Sequence, residues 1–293
     1  MPSSDSPIPT SDGPTSTSDG PTTSDGPTPS GGQAAAVSLD AVSVTYGGDR
    51  RLGGLLGRTD TVDALREVDT DIPAGEFVTI VGPSGCGKST LLRLVAGFAR
   101  PSRGEVKVAG EPVTGPGPDR GVVFQQPRLF PWLNVRRNVE FGLRMTGVPV
   151  ADRRTRTAEL LDLVGLSEAA TRLPHELSGG MQQRAAIARA LAPGPRILLM
   201  DEPFAALDAL TRERLQEELR QIWRRTGTTV LFVTHSVDEA VLLGTRIIAL
   251  SRRPGRVVLD ETSTLPREES PHAHPGFLAL REKLAATVRA AAA

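Results

Sequence analysis

Residues Gly82-Pro83-Ser84-Gly85-Cys86-Gly87-Lys88-Ser89 follow an apolar run, Phe77 to Val81, and lead into a helical pattern, Ser89 to Ala96. That helix puts Leu91, Leu94 and Val95 on one face. The octet fits G-x-x-x-x-G-K-[ST] in the strand-then-helix setting the motif requires. Glycines permit backbone conformations in which successive N–H groups face one anion, and the following helix adds its positive dipole end. Lys88 is expected to reach the β- and γ-phosphates of a nucleotide, Ser89 to ligate Mg²⁺, and Thr90 to join the loop in holding the nucleotide.

The rest of the chain reads as strands and helices in alternation. Val37, Leu39 and Ala41 keep period two, then the phase slips to Val42, Val44 and Tyr46, which predicts a strand with a bulge. Further strands are expected at Glu105 to Ala109, Gly121 to Phe124, Ile197 to Met200, Thr229 to Thr234 and Arg246 to Leu250. A helix is expected from a possible Asp208 N-cap to Arg225, stopping before Gly227, with Leu215, Leu219, Ile222 and Trp223 on one face. Short apolar strands alternating with amphipathic helices predict an α/β fold with a parallel sheet covered on both faces. The early strands predict a mixed sheet beside it. Between Phe130 and Pro193 only helical patterns remain, so a helical insertion is expected there, and a terminal helix from Gly276 to Ala290.

The apolar run Ile197 to Met200 ends in Asp201-Glu202, and side chains at the carboxyl edge of a parallel sheet meet ligands. Asp201 is suited to hold Mg²⁺ through water, and Glu202 to orient or deprotonate a water attacking the γ-phosphate.

Composition narrows the alternatives. The sole cysteine, Cys86, excludes an intramolecular disulfide, so a reducing compartment is expected. Because it lies inside the phosphate loop, alkylation of Cys86 is expected to inhibit and ATP to protect. Apolar runs are far shorter than the roughly 20 residues a membrane helix needs. No basic residue precedes Arg50 and no apolar h-region is seen, so no secretory signal is expected. Acidic and basic residues number 34 each, and the arginines are scattered among acids, which argues against a nucleic-acid partner. Residues 1–36 repeat Ser-Asp-Gly-Pro-Thr at Ser11, Ser18 and Ser24 with Ile8 as the one large apolar residue after Met1, and are expected to be a disordered leader.

Leu177-Ser178-Gly179-Gly180-Met181-Gln182-Gln183-Arg184, standing just before the acidic strand, resembles the signature of the ATP-binding subunits of ABC transporters. The resemblance runs from about Val37 to Asp260. It implies a P-loop NTPase (RecA-like) core with a mixed sheet, an antiparallel β subdomain and an inserted α-helical subdomain at about 129–193. The ATPase domain would span 37–260, with a C-terminal extension at 261–293. It further implies that Ser178, Gly179 and Gly180 bind the γ-phosphate held by the loop of an opposite subunit, so that ATP closes a homodimer. Gly179 and Gly180 open a helix from Met181 to Leu191, which makes a helix N-terminus available to an anion.

By the same resemblance Gln125 is the loop glutamine that senses Mg²⁺ and the attacking water. Asp208, in Ala205-Ala206-Leu207-Asp208, is the acid of the dimer-crossing loop, and His235 is the switch histidine at the γ-phosphate. Tyr46 resembles the aromatic that stacks on adenine, although Gly47 to Asp60 is longer than the family pattern. His175, His272 and His274 match no catalytic position. Leu129-Phe130-Pro131-Trp132-Leu133, Thr234 to Ala240 and Arg253-Pro254-Gly255-Arg256 resemble the nitrate, sulfonate and taurine branch of importers.

The resemblance thus implies an ATPase beneath a separate transmembrane permease, served by an extracytoplasmic solute-binding protein. Such a subunit would be cytoplasmic, peripheral on the inner face of the cell membrane. Trp132 would sit in the groove receiving a permease helix, or pack in the helical insertion. Two alternatives share the phosphate chemistry: a non-transport cassette ATPase acting as a mechanical or assembly subunit, and a small-molecule kinase or GTPase. The guanine-reading version of the latter would want an Asn-Lys-x-Asp run, which Asn134 and Asn138 do not provide.

Overall fold

The computed structural model describes residues 35–47 and 61–292. The expected leader, apart from Ala35 and Ala36, lies outside the described residues, as do residues 48–60 of the long Gly47 to Asp60 stretch.

The chain opens with two long strands, β1 (Ala35–Tyr46) and β2 (Val62–Pro73), paired antiparallel. β1 starts two residues inside the expected leader, because Ala35 pairs with Pro73 and the Ala36 carbonyl accepts from Ala109 N–H. The phase slip read at Ala41 is a bulge: register shifts between Leu39 and Val42, and Ala41 turns to φ +47°. β2 was not legible in the sequence. Its buried residues Ala64, Leu65, Val68 and Ile72 break period two, because irregular pairing with β1 rotates the strand along its length.

β3 (Phe77–Val81) runs through the phosphate loop into α1 (Lys88–Val95). Then come β4 (Arg103–Val108), β5 (Glu111–Pro112) and β6 (Arg120–Val123). Three helices follow without an intervening strand, α2 (Val135–Met145), α3 (Val150–Leu163) and α4 (Gly179–Leu191). The chain returns through β7 (Ile197–Asp201), α5 (Ala209–Thr226), β8 (Thr229–Val233), α6 (Val237–Leu243) and β9 (Arg246–Leu250). It ends with β10 (Val257–Thr262) and α7 (Pro275–Ala292). β10 escaped the sequence reading because it is an edge strand, with no fully buried residue to mark it.

Among the described residues the strands form two sheets, one antiparallel in the order β2-β1-β4-β5 and one mixed in the order β10-β9-β3-β8-β7-β6. In the second, β9, β3, β8, β7 and β6 are parallel and β10 alone is antiparallel. β3, β7, β8 and most of β9 are buried on both faces, which is why they read as unbroken apolar runs. Their two faces nevertheless serve different cores. Phe77, Leu198, Met200, Val230 and Phe232 pack against α4, α5, α6 and α7. Val78, Ile80, Ile197, Leu199 and Leu231 pack with α1 and the antiparallel sheet.

Phe77 anchors the first core, edge-on to Trp223 at 5.9 Å and tilted against Phe232 at 5.8 Å. Truncating such a residue to alanine costs about 3–5 kcal/mol. A parallel sheet brings all its carboxyl ends to one edge. The loops after β3, β6, β7, β8 and β9 therefore emerge side by side, and these are the segments that carry the phosphate loop, Gln125, Asp201-Glu202, His235 and Arg253.

Candidate functional site

The phosphate loop is held by close approaches that only glycine allows. A Cβ on Gly87, at φ +105°, would lie 2.5 Å from Leu65 Cδ2 and 2.8 Å from the Ala64 carbonyl of β2. The loop thus rests directly on the antiparallel sheet, and α1 starts at Lys88, one residue earlier than the sequence pattern indicates. Lys88 is buried, and its Nζ donates to the carbonyls of Gly82 (2.8 Å) and Pro83 (3.1 Å). The third donor of the ammonium faces Cys86 Sγ at 4.0 Å, a weak acceptor that an anion above the loop would replace.

Ser89 Oγ donates to Asp201 Oδ1 at 2.9 Å, joining the start of α1 to the end of β7. This hydroxyl and carboxylate are hard oxygen donors of the kind Mg²⁺ takes. Two such donors suit an ion that keeps several waters and takes further ligands from phosphate. Glu202, the next residue, sits at φ +46°. Such a conformation costs about 1–3 kcal/mol in a non-glycine residue. It is held by the Glu202 N–H bond to the Val233 carbonyl at 3.0 Å. His235, just beyond β8, donates from Nδ1 to Glu202 Oε2 at 3.2 Å. In the neutral ring that tautomer leaves Nε2 as an acceptor, and in the protonated ring as a second donor.

A cleft of about 410 Å³ opens beside these groups. Ser84, Gly85, Lys88, Ser89 and Thr90 form its floor, and Tyr46, Glu202 and Arg253 stand around it. The Tyr46 hydroxyl donates to Thr90 Oγ1 at 3.4 Å, and the ring remains 44% exposed. Gln125 lies two residues past β6, whose Val123 pairs with Met200, so it continues along the edge that bears Asp201. Its side chain is exposed and is not among the cleft residues.

Ser178, Gly179 and Gly180 stand apart. Ser178 caps α4, its Oγ accepting from Met181 N–H at 3.3 Å, and Gly179 and Gly180 form the first turn rather than precede it. None of the three lines the cleft beside Lys88. Asp208 caps α5, accepting from Thr211 N–H at 3.0 Å. That bond holds its carboxyl below the usual carboxylate range.

Two expectations are corrected. Cys86 is wholly buried in the core beneath the loop, and burial pushes its thiol pKa up, so the reactive thiolate is suppressed. Its N–H is directed to Pro83 O at 3.2 Å, and Cys86 is not among the cleft residues. Trp132 is 71% exposed, which rules out the core-packing reading; Phe130, 5.7 Å from it, makes the inward contact with Phe141.

The sequence reading gave no role to Arg253, which donates from Nε to the Gly85 carbonyl at 3.2 Å. It is fixed there by the β9–β10 turn, where Gly255 N–H bonds Ala64 O and Gly255 O accepts from Arg66 N–H. An Arg-Pro-Gly-Arg run after the last core strand was the available signal, but strand order alone sets it beside the phosphate loop.

A phosphate loop, an acid pair and a histidine at one edge of a parallel sheet, with a helical insertion on the same chain, define a nucleoside triphosphatase cassette. Residues 65–205 match the family model described as ABC transporter. The taurine import ATP-binding protein TauB of Roseobacter denitrificans is 52% identical over 198 residues, 68% of this chain and 74% of that protein. The nitrate import ATP-binding protein NrtD of Synechocystis is 51% identical over 214 residues, 73% of this chain and 80% of that protein. A solved dimeric structure of an ATP-binding cassette, in a post-hydrolysis state bound to ADP and Pi, aligns at TM-score 0.64 and 37% identity. The alignment covers 77% of this chain and 98% of that one. The chain belongs to the ABC transporter family, as one of its ATP-hydrolysing cassettes.

Proposed function

We propose that this protein is the ATPase of an importer for a small anionic or zwitterionic solute of the taurine or nitrate type, working as a homodimer beneath a separate permease. The relatives named for taurine and nitrate import support the solute class. The observation that carries the dimer is the division of parts. Lys88, Ser89 and Glu202 share one cleft, while Ser178 stands exposed at the head of α4 outside it. A second copy, turned to face the first, would supply its Ser178, Gly179 and Gly180 to the γ-phosphate, with Asp208 on the loop that crosses between subunits. ATP then stabilises the closed dimer by mass action, and product release lets it open.

Within each half-site the loop from Gly82 to Thr90 binds the phosphates by its backbone N–H groups and Lys88, and Tyr46 packs on the adenine. Ser89, Asp201 and Gln125 would hold Mg²⁺, which when bound offsets the charge of the β- and γ-phosphates. Glu202 orients the attacking water and accepts its proton, and His235 uses Nε2 at the γ-phosphate while Nδ1 stays bonded to Glu202. Among the described residues no helix is long and apolar enough to cross a membrane, so the solute's path belongs to the permease. Exposed Trp132 on the helical insertion is suited to receive a permease helix. The domain reading follows: a catalytic domain at 37–260 with a helical subdomain at about 129–193, a leader before it and an extension at 261–293. A solute-binding protein on the far side of the membrane completes the assembly, with this subunit peripheral on the inner face.

The test is Glu202→Gln. It should keep ATP binding, lower turnover by about a hundredfold to ten-thousandfold, and sediment as a dimer with ATP and a monomer with ADP. Wild-type turnover in this variant would refute the base assignment. Monomeric behaviour at saturating ATP would refute the shared site.

A further inference from the structure

His235 and the loop from Glu202 to Asp208 come from different strands, 33 residues apart at their direct contact, yet a single buried carboxylate lies between their supports. Glu239, in the first turn of α6, is only 7% exposed. Its Oε2 accepts the Thr234 hydroxyl, and that same Thr234 Oγ1 accepts the Ser236 N–H at 3.0 Å. The residues on both sides of His235 are thereby tied to one group. Oε1 accepts from Gln216 Nε2 at 3.1 Å and lies 4.0 Å from Arg212 Nε, both on α5. Arg212 in turn donates from Nη2 to the Leu207 carbonyl at 2.7 Å and from Nε to the Phe204 carbonyl at 3.4 Å, bracketing Ala205 and Ala206.

A glutamate three residues after a serine N-cap ordinarily reaches back to the cap's own N–H. Here Ser236 Oγ accepts from Glu239 N–H at 3.3 Å, but the carboxylate turns inward, and Thr234 Oγ1 takes the Ser236 amide in its place. A buried charge is costly unless paired and fully hydrogen-bonded. A cap alone would not require that cost, whereas a joint between two loops does.

We propose that Glu239, held by Gln216, is a positioning residue that couples the loop carrying Glu202 and Asp208 to the switch histidine, through Thr234 on one side and Arg212 on the other. The proposal rests on the reading of Glu202 and His235 as the groups acting at the γ-phosphate. It assigns Glu239 no contact with nucleotide, so its loss is read in the chemical step and not in binding.

Steady-state ATPase of the full chain tests it. Glu239→Ala should lower kcat about tenfold with KM for ATP within about twofold. Glu239→Gln, which still offers an oxygen to Thr234 but loses the charge facing Arg212, should fall less, about threefold. Arg212→Ala, at a partly exposed position, should lower kcat similarly, and should add nothing to Glu239→Ala because both cut one path. In a His235→Ala background, Glu239→Ala should have no further effect on kcat. The proposal is overturned if Glu239→Ala keeps kcat within twofold, if the two losses multiply, or if kcat and KM worsen together in step with the melting temperature. Should Glu239→Ala not fold, Glu239→Gln and Arg212→Ala decide by the same criteria. Wild-type turnover in His235→Ala would instead defeat the reading of the histidine itself.

Discussion

Gly255 is where the β9–β10 turn bears on the phosphate loop, and its replacement by alanine gives a perturbation of known size. A Cβ there would lie 2.0 Å from the Cys86 carbonyl oxygen, 3.2 Å from the Cys86 carbonyl carbon and 3.1 Å from Leu65 Cδ2. Contacts below 3.0 Å essentially do not occur, so the turn and the loop must separate by at least 1 Å. The turn cannot yield freely, because Gly255 N–H and C=O are both bonded to β2. The loop must then move, and Arg253 with it.

Overpacking of this kind costs about 1–3 kcal/mol of stability. A 1 Å displacement of groups that position a reacting phosphate costs about a hundredfold in rate. Gly255→Ala should therefore lower kcat/KM for ATP by about one to two orders of magnitude, with a urea midpoint reduced by a stability loss of about 1–3 kcal/mol. Gly115→Ala, where a Cβ meets open space, is the control and should change neither. If Gly255→Ala turns over ATP with wild-type kcat/KM, the turn does not support the phosphate loop and the reasoning fails.

Other expectations can be checked separately. Native Cys86 should react with a thiol reagent at least about a hundredfold slower than the urea-unfolded chain, with or without ATP; equal rates would contradict its burial. Glu76 Oε2 is buried without a hydrogen-bond partner, and burial pushes its carboxyl pKa above the usual 4.5 despite Arg246 Nη1 at 4.0 Å. A raised folded pKa means stability that is full below the unfolded value and is lost as pH rises through the folded one. Glu76→Gln should therefore stabilise the protein at neutral pH by urea titration, with the gain shrinking as pH falls toward 4.5; a gain independent of pH would refute the cause. Trp132→Ala should leave the ATPase of the isolated protein within about twofold while reducing co-purification with permease subunits. Undiminished recovery would remove that surface from the interface.

Much of the site was readable because its parts are contiguous. The loop from Gly82 to Ser89, the Asp201-Glu202 pair and the Ser178 cap each depend on residues within one turn or one strand end, where spacing maps directly onto geometry. β3 and β9 were legible to the residue because burial on both faces leaves an apolar run with sharp ends. β2 and β10 were not. The first is twisted by irregular pairing with β1, and the second, on an exposed edge, alternates only between half-buried and exposed positions, which its sequence Val257-Val258-Leu259 does not follow.

What the sequence determined by itself was a phosphate-binding α/β fold, its two acids and its helical insertion, because these follow from periodicity and short-range hydrogen bonding. Only the tertiary structure decided which strand ends are neighbours. That His235 meets Glu202, that Arg253 reaches Gly85, and that Glu239 stands between two loops all depend on the order β10-β9-β3-β8-β7-β6. It also decided that the Cys86 thiol faces the core, with its N–H turned to the Pro83 carbonyl. Such contacts join residues far apart in the chain. Packing two cores against one sheet marks each inner strand as an apolar run, but which strand lies beside which leaves no signature in any short stretch of residues.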